Sequence, residues 1–79
     1  MRMRLKEDVK LSDFLGRVNE CTNEVCFVTD TGDRMNLKSL LCRYVFLTMQ
    51  RHPEILRNGD VECESEQDAQ LLQDFLVQI

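Results

Sequence analysis

The run Gly32-Asp33-Arg34-Met35-Asn36-Leu37-Lys38-Ser39-Leu40-Leu41 joins a turn glycine, a short alternating segment and the start of an apolar stretch. Asp30, Thr31, Gly32 and Asp33 supply turn chemistry between two segments of strand character. Residues 25–29 are rich in β-branched and aromatic side chains, and residues 34–37 alternate, so the two are predicted to pair as a hairpin. Ser39 then precedes Leu40, Leu41, Tyr44, Val45 and Thr48, whose spacing predicts a helix. His52-Pro53 ends it, because the residue before a proline is pushed out of the helical region. A serine at a helix start sits where backbone N–H groups are unpaired and the dipole is positive. On its own that reads as an N-cap, worth about 1 kcal/mol. A phosphate on Ser39 would be held by the same N–H groups and by Lys38.

On the N-terminal side, Arg2, Met3, Arg4, Leu5 and Lys6 alternate as a strand with Met3 and Leu5 inward. Leu11, Phe14, Leu15 and Val18 then recur at helical spacing, with Asp8 placed ahead of them as a cap. On the C-terminal side, residues 54–58 fit no single element, and Asn58-Gly59-Asp60 marks a turn. Val61 and Cys63 alternate with Glu62 and Glu64 as a strand. Ser65, with Asp68 three positions on, forms a variant capping box for a last helix carrying Ala69, Leu72, Phe75, Leu76 and Ile79. The predicted order is βαββαβα over a single domain spanning residues 1–79. The α+β solution is an open-faced sandwich, a four-stranded antiparallel sheet covered on one face by three helices.

The 79 residues are 43% hydrophobic and 30% charged, a balance suited to one soluble domain with a thin core. The net charge is −4. From residue 54 onward, Glu54, Asp60, Glu62, Glu64, Glu66, Asp68 and Asp74 face only Arg57, and they read as a solvated helix face. Such a body repels nucleic acid and anionic membrane, except at the N-terminal end with Arg2, Arg4, Lys6 and Lys10. No signal-peptide pattern or membrane-length apolar run is present, so the expected location is cytoplasmic. Cys21, Cys26, Cys42 and Cys63 match no metal-finger spacing, and His52 is the single histidine. They are expected to be plain thiols of a reducing compartment, with no metal and no cofactor.

The Gly32 to Leu41 run resembles HPr, the histidine-containing phosphocarrier family of the bacterial phosphoenolpyruvate:sugar phosphotransferase system. In that family a Gly-x-x-Val-Asn-x-Lys-Ser-Ile-Met pattern surrounds a regulatory serine at the start of the second helix. Gly32, Asn36, Lys38 and Ser39 match it, and Met35, Leu37, Leu40 and Leu41 are apolar equivalents. The element order matches as well.

The departures bear on activity. The family carries His-x-Arg-Pro at the start of its first helix, and Asp8-Val9-Lys10-Leu11 occupies the corresponding place here. Asp8 stands for the phosphorylated histidine, and Lys10 for the arginine without its planar fork. His52 falls far along the chain from that place. The resemblance therefore implies a non-enzymatic regulatory relative that has lost the carrier histidine. Ser39 becomes the candidate phosphorylation site. Leu40, Leu41, Tyr44 and Leu47 become the candidate docking patch, although Arg43 and Tyr44 differ from the family's usual small and methionine side chains. The implied partners are an HPr-type Ser kinase or a transcriptional regulator. The alternative is an HPr-fold interaction domain unrelated to sugar transport, in which Ser39 only caps its helix.

Overall fold

The computed structural model describes residues 2–77 in full and the backbone of Gln78. In chain order the elements are β1 (Arg2–Leu5), α1 (Leu11–Val18), β2 (Val25–Val28), β3 (Arg34–Asn36), α2 (Leu40–Thr48), α3 (Pro53–Asn58), β4 (Asp60–Cys63), α4 (Glu66–Leu72) and β5 (Leu76–Gln78). Short 3-10 turns at Met49–Arg51 and Gln73–Phe75 extend α2 and α4. The strands form one antiparallel sheet in the order β3-β2-β4-β1-β5.

The α+β class and the antiparallel sheet are as expected, but the described residues form five strands and four α-helices. Residues 54–58, ambiguous in sequence, form α3. Pro53 opens it, since its fixed φ and missing N–H suit the first helical position. The last helix stops at Leu72 instead of running on through Phe75 and Leu76, and Ile79 lies outside the described residues. Leu76, Val77 and Gln78 instead pair with Leu5, Arg4 and Met3. Pairing the otherwise open edge of β1 satisfies a row of its backbone groups, which outweighs the helical spacing of Phe75 and Leu76.

Alternation along the strands sorts the sheet into two faces. Met3, Val25, Phe27, Met35, Val61, Cys63 and Leu76 face the helices and belong to one buried cluster. Leu11, Phe14, Leu15 and Val18 of α1 join it, as the sequence spacing predicts. So do Ala69 and Leu72 of α4, while α2 contributes a single fully buried residue, Phe46. The Phe46 ring centroid lies 5.3 Å from that of Phe27 and 6.0 Å from that of Phe14, so one side chain ties α2 to both the sheet and α1.

The other face of the sheet carries ions. Arg2 pairs with Asp60 and, at 3.6 Å, with Glu62. Arg4 lies 3.3 Å from Asp60, and Arg34 lies 2.9 Å from Glu62. Two arginines of the N-terminal basic cluster are therefore neutralised within the sheet.

Two glycines are required by geometry. Gly32 has φ +94° in the β2–β3 turn, where its N–H donates to the Thr29 carbonyl at 3.0 Å. Gly59 precedes β4 with its backbone against the Phe27 ring. A Cβ there would stand 2.3 Å from the ring's Cζ. Gly59→Ala is expected to destabilise the fold by about 1–3 kcal/mol through overpacking, measured by urea unfolding.

Candidate functional site

The residues singled out by sequence fall into two places. Asp8 is exposed in the β1–α1 turn, and Lys10, not Asp8, occupies the N-cap position of α1. Neither side chain caps the helix; the Lys10 carbonyl accepts from the Asp13 and Phe14 N–H groups at 3.0 and 3.1 Å. Asp8 is thus not the cap that the sequence suggests, because the helix begins three residues later, at Leu11. Asp8 and Lys10 line a shallow depression with Asp13 and Asp74. Four carboxylates and two ammonium groups gather there when Glu7 and Lys6 are included, so the surroundings of Asp8 are net negative.

His52 is closer to this loop than its place in the chain suggests. Its neighbour Pro53 lines a small pocket with Lys6, Glu7 and Val9. The exposed His52 ring faces Glu54, with Nδ1 3.8 Å from Oε1.

Ser39 lies at the other end of α1. Arg43, near the start of α2, donates to the Asn19 side-chain oxygen just past the end of α1. Ser12, near the start of α1, shares a groove with Leu47, near the end of α2. The two helices therefore run antiparallel, and Ser39 is set apart from Asp8 by the length of α1. Ser39 takes the N-cap position with φ −78° and ψ 129°, and its carbonyl accepts from the Arg43 N–H at 2.9 Å. Its half-buried hydroxyl makes no capping hydrogen bond. Asn36 shapes the approach, its side-chain oxygen accepting from the Lys38 N–H at 3.0 Å. The Lys38 ammonium does not turn to Ser39; it donates to the Cys21 carbonyl.

The four candidate docking residues share α2. Leu40 is 69% exposed, Leu41 73% and Tyr44 63%, with Val45 exposed beside them, while Leu47 is half-buried. Helical geometry explains this. At 3.6 residues per turn Tyr44 lies about 160° around the helix from Phe46. Burying Phe46 therefore turns the stripe of Leu40, Leu41, Tyr44 and Thr48 to solvent. The run that reads as an amphipathic face in sequence is the outer face. A groove between α1 and α2 adjoins it, lined by Ser12, Leu15, Leu40, Arg43, Tyr44 and Leu47.

The exposed Lys38 reaches the edge of a polar cluster built around a buried aspartate that the sequence does not single out. Asp68 is 0% exposed. Its carboxylate accepts from the Thr22 N–H at 3.0 Å, the Asn23 N–H at 2.9 Å and the Thr22 hydroxyl at 3.3 Å. Half of the expected capping box forms, with the Asp68 N–H donating to Ser65 Oγ at 3.2 Å, but the Asp68 carboxylate is committed to the α1–β2 loop. The acidic segment is accordingly not all a solvated face, since Asp60 and Asp68 are both buried. Asp68 lies one turn before Leu72 and next to Ala69 on the buried side of α4, and that spacing was its signal in the sequence.

Burial alone would raise the Asp68 pKa. The hydrogen bonds from Thr22 and Asn23, with the nearby charge of Lys38, outweigh burial and hold it below the ordinary aspartate value. Burial, with the Asp68 charge next in effect, pushes the Cys21 thiol up to about 11. Burial raises Cys26 and Cys63 too, so these three thiols are poor nucleophiles at neutral pH. Cys21, Cys26 and Cys42 are free thiols, and among the described residues no group of three or more His, Cys, Asp or Glu side chains could hold a metal. Among the described residues no helix is long and apolar enough to cross a membrane.

Comparisons with protein-family models, with curated proteins and with solved structures find no match.

Asp68→Asn is expected to cost about 1–3 kcal/mol at neutral pH, because an amide turns an N–H donor toward donors that need an acceptor. Since the folded-state pKa is depressed, the carboxylate's contribution is fully present above the unfolded value near 3.8 and is lost as pH falls through the lower folded value. Urea unfolding across that range should show the gap between wild type and Asp68→Asn closing as acid is added.

Proposed function

We propose that this chain is an HPr-like regulatory module without phosphocarrier activity, acting in the cytoplasm in the control of carbon and sugar uptake by docking a protein through α2. The observation that carries the docking is the exposure of Leu40, Leu41 and Tyr44 on a helix whose only fully buried side chain is Phe46. An apolar stripe of that kind marks an interaction surface. The link to HPr rests on the Gly32 to Leu41 run and on the β1-α1-β2-β3-α2 order that frames it. The added α3 and β5 depart from the order that the resemblance implies.

Loss of carrier activity follows from chemistry at the family's histidine position. Asp8 offers no imidazole nitrogen, and its surroundings are rich in carboxylates. An acyl phosphate there would meet repulsion. Ser39 is the regulatory phosphorylation site in this reading. Its hydroxyl is uncommitted to capping, and the first-turn N–H groups of α2 lie next to it. Lys38 would have to leave the Cys21 carbonyl to reach a phosphate. The partner in this reading is an HPr-type Ser kinase or a transcriptional regulator. The alternative, an HPr-fold interaction domain outside sugar transport, keeps the α2 surface and drops the modification.

Two labelling reactions separate these readings. With the phosphoenolpyruvate-dependent kinase of the phosphotransferase system, no acid-labile phosphate should appear on the chain; its appearance would refute the loss of carrier activity. With the family's ATP-dependent Ser kinase, label should appear and vanish in Ser39→Ala. No incorporation would leave the interaction domain and remove the regulatory serine.

A further inference from the structure

The charges around α2 are segregated. Residues 34–53 hold four of the ten basic residues and none of the fourteen acidic ones, in a chain of net charge −4. All the arginines but two are paired. Arg2, Arg4, Arg17, Arg34 and Arg57 each have a carboxylate within reach. Arg43 is bonded only to the neutral Asn19 side chain, and Arg51 has no carboxylate partner among the described residues. These two flank the apolar stripe. Arg43 lines the α1–α2 groove with Leu40, Tyr44 and Leu47. Arg51 lines the continuation of that surface with Tyr44, Leu47 and Thr48.

From this we infer that the α2 surface takes an acidic amphipathic helix of a partner protein. The inference rests on the docking reading above and adds the chemistry of the partner. Arg43 and Arg51 are eight residues apart, about 12 Å along a helical axis. A partner helix lying along the groove meets both with carboxylates about two turns apart. Between them its apolar side chains at helical spacing cover Leu40, Tyr44 and Leu47. The pairing gives orientation and association rate as well as affinity.

Two other occupants fit less well. A second copy in a two-fold contact would set Arg43 and Arg51 against the same charges. A flat anionic bilayer cannot fill a groove between two helices, and it repels the strongly acidic remainder of the chain.

The test is a selection from a displayed random peptide library on the full chain at physiological salt. Parallel selections use Tyr44→Ser and the double variant Arg43→Glu/Arg51→Glu. Peptides enriched on the wild type should combine apolar residues at helical spacing with an excess of Asp and Glu. Their affinity should fall about tenfold or more on either variant, and more steeply with salt for the wild type than for the charge-reversed chain. Enrichment that depends on Tyr44 but shows no acidic excess, or survives charge reversal, overturns the acidic partner and leaves docking in place. No enrichment that depends on Tyr44 overturns both. Sedimentation with phosphatidylglycerol vesicles, or a dimer abolished by Tyr44→Ser, assigns the face to lipid or to a second copy and also overturns the inference.

Discussion

The burial of Phe46 between Phe14 and Phe27 fixes how α2 sits on the rest of the chain. It is the one α2 side chain fully in the core, so it sets the rotation of the helix about its axis. Everything on the far side of the helix then follows from 3.6 residues per turn. Leu40, Leu41 and Tyr44 must face outward, whatever their hydrophobicity. The apolar area they expose is the cost of this arrangement, and a partner that covers them would recover it.

The opposite end of the core is held by a different interaction. Asp68 on α4 reaches across to the α1–β2 loop and takes up the N–H groups of Thr22 and Asn23. Lys38 joins the same loop through the Cys21 carbonyl. The β3–α2 connection, which carries Ser39, is thereby coupled to α4 through two polar links. A domain this small has few core residues to spare, and buried polar contacts with every partner in place help to specify one arrangement.

Elements with one strong signal were legible in the sequence. The hairpin around Gly32, the helix of Leu11, Phe14, Leu15 and Val18, and the stop at His52-Pro53 all follow from local chemistry. What was not legible depends on partners distant in the chain. Phe75 and Leu76 have helical spacing with Leu72, and only the unpaired edge of β1 draws Leu76 to Gln78 into a strand. Asp68 looks like one more acid of a solvated run until Thr22 and Asn23 are brought to it. The α2 stripe is the sharpest case. Its spacing gives two apolar directions, and the choice between them is made by Phe14 and Phe27, more than eighteen residues away. Asp8 and Ser39 were legible as residue types in a family-like pattern, but their separation along α1 was not.

Hydroxyl-radical labelling of the isolated chain, read residue by residue by mass spectrometry at low protein concentration, addresses the orientation of α2 most directly. Leu40, Leu41 and Tyr44 should be oxidised readily, and Phe46 should be as protected as Phe14 and Phe27. Protection of Leu41 and Tyr44 together with labelling of Phe46 would mean that α2 packs through its other face, and that no docking surface stands there.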